Sequence, residues 1–185
     1  MGILAGTSCY MAGPVEADSH ANKWRGEVET YLKNISVIPL NPLNKPSWIG
    51  EKSRIHPSEH AAAFAAGGND RLSVDDVIST QAIDRDICLR LARSANWAIC
   101  TLPKMRTFGT MEELHEFHRN GAPVFFVCPD GVPSMWILPM FVDKKEDIET
   151  TFFKNQSDML VHVSAIDNGK VSIDPFKWIF LSWRR

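Results

Sequence analysis

Residues 97–128, WAICTLPKMRTFGTMEELHEFHRNGAPVFFVC, decide the fold. The stretch opens and closes on apolar runs of strand length, 97–102 and 124–128. Neither run alternates polar with apolar side chains, so each reads as a strand buried on both faces rather than wet on one. Between them residues 110–119 have helical spacing, and Asn120-Gly121 marks the helix end with a left-handed C-cap signal. Two wholly apolar strands joined by a helix form the parallel crossover unit.

The same alternation extends toward the N-terminus. Residues 79–94 read as a helix with Ile83, Ile87 and Leu91 on its apolar face. Residues 8–12 are a short buried strand that stops at Gly13-Pro14. Trp24, Val28, Tyr31 and Leu32 share one face of a helix over 20–33, and residues 37–40 form another strand, closed by Asn41-Pro42. From 43 to 78 the chain turns Pro-, Gly-, Ser- and His-rich, with a short Ala-rich helix over 61–66, and this is the expected loop or lid. Past 128, residues 159–163 read as a fifth strand, and 176–183 fit strand and helix equally. The expectation is one α/β domain over 1–185, doubly wound with a mostly parallel sheet, flavodoxin- or Rossmann-like.

Composition narrows the function classes. The 185 residues are long enough to bury a real core. A formal net charge of -2 does not suit a nucleic-acid polymer as partner, since such proteins carry an excess of Lys and Arg. No apolar stretch nears the ~20 residues that span a bilayer, and the start lacks the basic region of a signal peptide. Cys9, Cys88, Cys100 and Cys128 lie far apart in apolar segments without a CxxC pair, which reads as core thiols in a reducing cytoplasm. His56 with His60, and His115 with His118, have metal-like spacings but lack a third ligand, so neither metal nor organic cofactor is expected. No GxGxxG and no P-loop is present.

Sites in such folds lie beyond the carboxyl ends of the strands. Three segments carry polar residues there: Tyr10-Met11-Ala12-Gly13-Pro14-Val15-Glu16, Asp84-Arg85-Asp86 and Gly109-Thr110-Met111-Glu112-Glu113. Glu113 falls in the first turn of a helix, where the dipole favours the ionised form that a carboxylate nucleophile needs. Thr110-x-x-Glu113 is equally a capping box. Asp86 suits a proton donor, or an exposed charge paired with Arg90 four residues on. Tyr10 suits a hydrogen bond to the nucleophile, or plain core packing.

Taken in order, these segments with Asn41-Pro42 and Asp84-Arg85-Asp86-Ile87 resemble the nucleoside 2-deoxyribosyltransferase family and its nucleoside 5'-monophosphate N-glycosidase relatives, over roughly residues 8–137. The resemblance implies Glu113 as the attacking glutamate, Tyr10 as the tyrosine that orients it, and Asp86 as the aspartate that handles the proton of the base. It implies substrate contacts from Gly13, Pro14, Glu16, Gly109 and Thr110. Ser134-Met135-Trp136 resembles a loop that reaches a neighbouring subunit's site, which implies a homo-oligomer. Thr107 stands where nucleoside transferases often have Asp and the nucleotide-cleaving relatives tend to have Ser. With Lys104, Arg106, Ser19, His20 and Arg25 it suits a 5'-phosphate, or an ordinary exposed loop. The implied substrate is a small nucleoside or nucleotide, with the sugar passed to another base or to water. Two rivals are a phosphoribohydrolase, whose Pro-Gly-Gly is replaced here by Thr107-Phe108, and a nucleotide-sensing module in which Glu113 is only a cap.

Overall fold

The computed structural model describes residues 2–14, 21–44, 55, 57–103, 108–132 and 134–182. The first strand, β1 (Ser8–Ala12), is followed by α1 (Ala21–Asn34) and a short edge strand, β2 (Ile38–Leu40). Then come α2 (Pro57–Ala65), the long α3 (Val74–Ser94) and β3 (Trp97–Thr101). Next are α4 (Phe108–Arg119), β4 (Val124–Val127), α5 (Leu138–Phe141), α6 (Ile148–Thr151), β5 (Phe152–Phe153), α7 (Gln156–Asp167) and α8 (Ile179–Ser182).

The strands form one sheet in the order β2-β1-β3-β4-β5, and all four pairings are parallel. This is the doubly wound, flavodoxin-like order, whose strand direction of travel reverses between β1 and β3. The alternation of side chains explains why the strands are apolar throughout. Cys9, Met11, Trp97, Ile99, Phe125 and Val127 enter one core with Val28 and Leu32 of α1. Tyr10, Ala12, Ala98, Cys100, Val124 and Phe126 enter the other with Ala92 of α3 and Leu114 and Phe117 of α4. β1, β3 and β4 therefore have no wet face, whereas the edge strand β2 leaves Ile38 exposed.

The C-terminal third departs from expectation. Residues 159–163 lie within α7, not in a strand, and the fifth strand is the two-residue β5 just before it. Met159, Val163 and Ile166 recur at helical spacing and are buried in the first core beside Trp178. A short apolar run fits either period, and here the Asn155 side chain settles it by capping the helix through the Asp158 amide. Residues 156–182 thus help to cover one face of the sheet.

Two helix starts also move. α3 begins at Val74, inside the segment read as loop, because Ser73 and Asp76 form a reciprocal capping box. α4 begins at Phe108, so Thr110 lies inside its first turn instead of capping it. At its other end Gly121 adopts φ 62, and the amides of Gly121 and Ala122 close on the carbonyls of His118 and Phe117.

Candidate active site at the carboxyl ends of the first and third strands

β1 delivers Tyr10 and α4, which follows β3, delivers Glu113. The Tyr10 hydroxyl donates to Oε1 of Glu113 at 2.6 Å, across 103 positions of chain. This contact spans the point where the strand order reverses, the usual ligand crevice of such a sheet. Tyr10 is wholly enclosed, and its ring leans on Phe117, one helical turn beyond Glu113, with centroids 5.7 Å apart. The packing fixes the ring, so the hydroxyl has one direction to point.

Glu113 is buried, and burial pushes its carboxyl up from 4.5 to about 7. Tyr10's hydrogen bond and the Arg25 charge pull the other way, and Glu112 adds a small upward push. Burial, with the carboxylate beside it, lifts the Tyr10 phenol well above its ordinary range, so it stays a donor. A buried carboxylate poised near neutrality, in a crevice and held by one fixed donor, is the kind of group that marks a candidate site. The first-turn cap, by contrast, would leave the side chain at the helix rim.

Arg25 has no exposed surface. Its Nη2 donates to the Gly13 carbonyl at 2.7 Å and its Nε to the Met11 carbonyl at 3.4 Å. Gly13 has φ 150, and a Cβ there would meet the Thr101 carbonyl at 3.0 Å and Trp24 at 3.1 Å. The guanidinium and the glycine together hold the end of β1 close against β3. Pro14 is buried beside them. Thr110 is buried and Gly109 exposed at the start of α4. Glu16, Ser19, His20, His56, Lys104, Arg106 and Thr107 lie outside the described residues.

Asp86 is not brought to this pair. It stands on the outer face of α3, 55% exposed, and takes Arg90 Nε on its Oδ2 at 2.7 Å. The sheet-facing line of α3 runs through Val77, Thr80, Leu89 and Ala92, all buried. Asp84 falls on that line, four residues before Cys88, and its Oδ1 is wholly buried. Cys88 in turn lies near the Tyr10 hydroxyl and helps to raise its pKa. Two residues on a helix are about 200° apart, which separates Asp84 and Asp86 onto opposite faces. The reading from sequence missed Asp84 and Cys88 because it took Ile83, Ile87 and Leu91 as the buried face. Ile83 is 48% exposed, so that phase was about one residue off. The small residues Cys88 and Ala92, at i+4 and i+8 from Asp84, were the signal for the true face.

Ser134 lies after β4, its Oγ accepting from the Trp136 amide at 3.3 Å, with Met135 73% and Trp136 85% exposed. His115 and His118 each bring Nδ1 to a backbone carbonyl, of Met111 at 2.9 Å and Met140 at 2.8 Å. Among the described residues no three His, Cys, Asp or Glu side chains are grouped to hold a metal ion, and no helix is long and apolar enough to cross a membrane.

The fold is that of the deoxyribosyltransferases. The chain is similar to a 2-deoxyribosyltransferase from the psychrotolerant bacterium Bacillus psychrosaccharolyticus, with 15% identity and a TM-score of 0.50, over 83% of this chain and 90% of that one. It is also similar to a 2-desoxiribosyltransferase from Leishmania mexicana, with 18% identity and a TM-score of 0.41, over 67% of this chain and 65% of that one. At such identities the likeness is one of fold. No protein-family model and no curated protein sequence matches the chain.

Proposed function

We propose that the protein breaks the N-glycosidic bond of a 2'-deoxynucleoside or a deoxynucleoside 5'-monophosphate and passes the sugar to another base or to water. The observation that carries this reading is the buried Tyr10–Glu113 contact at the crevice of a deoxyribosyltransferase fold. The ionised Glu113 attacks C1' of the sugar as the bond to the base breaks. Positive charge builds on the ring in an oxocarbenium-like transition state, and a desolvated carboxylate stabilises it more strongly than an exposed one would. The Tyr10 hydroxyl holds Oε1, which leaves the other oxygen to form the ester with C1'. The departing base takes a proton from an acid. A second base, or water, then attacks C1', gives up a proton, and releases Glu113.

The acid was assigned to Asp86 by resemblance. The helical phase of α3 favours Asp84, which shares the inward line with Cys88, while Asp86 is exposed and bound to Arg90. Cys88 is against Tyr10, so Asp84 stands about one turn, roughly 6 Å, further toward the carboxyl ends of the strands. No metal or organic cofactor enters these steps. The exposed Met135 and Trp136 support a homo-oligomer in which this loop covers a neighbouring subunit's crevice.

The test is base release, followed by liquid chromatography, from deoxynucleosides and their 5'-monophosphates, with and without an acceptor base. Release that disappears in Glu113→Ala supports the reading, and the substrates preferred report on phosphate recognition and on transfer against hydrolysis. Nucleotide binding without release by the wild type would reject it in favour of a sensing module.

A further inference from the structure

Arg25 has no exposed surface, and burying a guanidinium costs free energy unless its donors are met. The end of the edge strand explains what meets them. β2 pairs in parallel with β1, Ser8 opposite Ile38 and Tyr10 opposite Leu40, and the Ile38 amide donates to the Thr7 carbonyl at 2.8 Å. Carbonyls point to alternate edges along a strand, so that of Met11 turns toward the same side as that of Thr7. The donor due to reach it in this register is residue 42, but β2 stops at Leu40 and Pro42 has no amide hydrogen. Arg25 of α1 fills the gap. Its Nε donates to the Met11 carbonyl at 3.4 Å and its Nη2 to the Gly13 carbonyl at 2.7 Å. The Trp24 ring lies 4.5 Å from the guanidinium carbon, and a Cβ on Gly13 would come within 3.1 Å of that ring. The side chain is thus clamped between a ring and two backbone oxygens.

We propose that Arg25 is a positioning residue: it stands in for the strand partner that β1 lacks beyond Leu40, and so fixes the strand end from which Tyr10 reaches Glu113, without touching substrate. This rests on the reading of Glu113 as the nucleophile. Tyr10 directly precedes Met11, and its hydroxyl meets Oε1 of Glu113 at 2.6 Å, a contact that any drift of the strand end would lengthen. A planar guanidinium holds two acceptors at a fixed spacing, whereas an ammonium is a point charge on a flexible stem. The same positive charge favours the ionised Glu113. On this reading the enclosed guanidinium serves the backbone of the site in place of the 5'-phosphate that the resemblance suggested for it.

The experiment compares wild type with Arg25→Met, Arg25→Lys and Trp24→Leu. Base release from deoxynucleosides and their 5'-monophosphates gives kcat, KM and a pH profile. Carbon NMR of ring-labelled tyrosine reads the Tyr10 hydroxyl without substrate. The chain has two tyrosines, and Tyr31, which donates to the Leu160 carbonyl at 3.3 Å, is the internal control. In Arg25→Met, kcat falls about 10- to 100-fold, the scale of hydrogen bonds from a charged group, equally for both substrate types and with KM unchanged. Its acid limb moves upward, because the charge that lowers the Glu113 carboxyl is gone. Arg25→Lys keeps the charge but not the fork, so the acid limb returns while kcat stays below wild type. Trp24→Leu shows a smaller loss in kcat. The Tyr10 signal moves in all three toward its position in Glu113→Gln, and the Tyr31 signal stays. A rise in KM confined to the monophosphates, with kcat unchanged, would make Arg25 a phosphate ligand and overturn the proposal. So would an unmoved Tyr10 signal in Arg25→Lys and Trp24→Leu, which carry the test if Arg25→Met does not fold. If the wild type releases no base, the nucleophile reading fails by itself; the Tyr10 signal then still decides whether Arg25 holds the pair.

Discussion

Glu112 and Glu113 are consecutive residues on α4, about 100° apart around the helix, and they belong to different regions of the molecule. Glu112 lies 44% exposed and forms a two-pronged contact with Arg85 of α3, each prong 2.8 Å. That guanidinium holds its carboxyl below the ordinary range. Glu116, one turn on, is bound by Arg93 in the same way at 2.9 Å. Glu113 faces inward, has one neutral donor for its Oε1, and is pushed up to about 7 by burial. The outer face of the α3–α4 pair is thus a set of satisfied charges, and the inner face is a carboxylate kept short of full compensation. The comparison teaches that helical phase separates the two glutamates: the same residue type is a strap on one side and a buried carboxyl raised toward neutrality on the other.

The largest expected effect separates the two glutamates directly. Glu113→Gln keeps the shape and removes the nucleophile, so base release falls by at least about 10³-fold while the protein stays folded. Glu112→Gln changes release by less than about threefold, since it removes only an exposed charge pair. Equal losses in the two variants would erase the distinction and with it the claim that burial selects the nucleophile.

The same contrast applies to the aspartates of α3. Loss of a proton donor to the leaving base costs about 10²-fold or more. Asp84→Asn is expected to show a loss of that order, and Asp86→Asn a smaller one. A poor leaving base should widen the gap and a base that leaves unprotonated should narrow it. The reverse ranking would return the acid role to Asp86 and require α3 to turn on its axis when substrate binds.

The fold was largely legible from sequence, and the physical reason is that burial on both faces leaves an unmistakable mark. Ser8–Ala12 and Trp97–Thr101 lie where their apolar runs place them, because a parallel strand between two layers of helix has no polar position to blur its edges. The stretch 159–163 was misread because five apolar residues fit a strand and a helix alike, and only the cap at Asn155 breaks the tie. Glu113 and Tyr10 were legible as candidate site residues. Their contact was not, since nothing local joins positions 103 apart. Asp84 and Cys88 were hidden by three conspicuous isoleucine and leucine positions that set the wrong phase, although Ile83 is substantially exposed.

The pH dependence of stability extends the comparison from activity to folding. The folded protein holds the Glu113 proton up to about 7, whereas an unfolded chain releases it near 4.5. Between those values the folded state binds the extra proton, so the contribution is full below about 4.5 and is lost as the pH rises through about 7. The whole difference is on the order of 3 kcal/mol at about 1.4 kcal/mol per unit. Glu113→Gln is neutral throughout and does not suffer this loss. Denaturant unfolding at a series of pH values should therefore find its stability relative to wild type rising by up to roughly 3 kcal/mol from pH 4.5 to 8.5. A gap that does not change with pH would show that Glu113 titrates as an ordinary exposed acid, and would remove the electrostatic basis of the site.

The smallest expected effect concerns the outer face. Arg85→Met breaks the two prongs to Glu112 without touching the crevice, and both partners are largely exposed. Such pairs contribute about 0.2 to 1 kcal/mol, because water and salt screen them and two long side chains lose freedom in making them. Unfolding of Arg85→Met should therefore shift by no more than about 1 kcal/mol, and the shift should shrink as salt rises. Release by the variant should keep the wild-type pH profile, since Glu112 raises the Glu113 carboxyl only as its last and least cause. A large or salt-independent loss would mean that the strap does more than hold α3 to α4: it would then set the rotation of α4 that turns Glu113, and not Glu112, toward Tyr10.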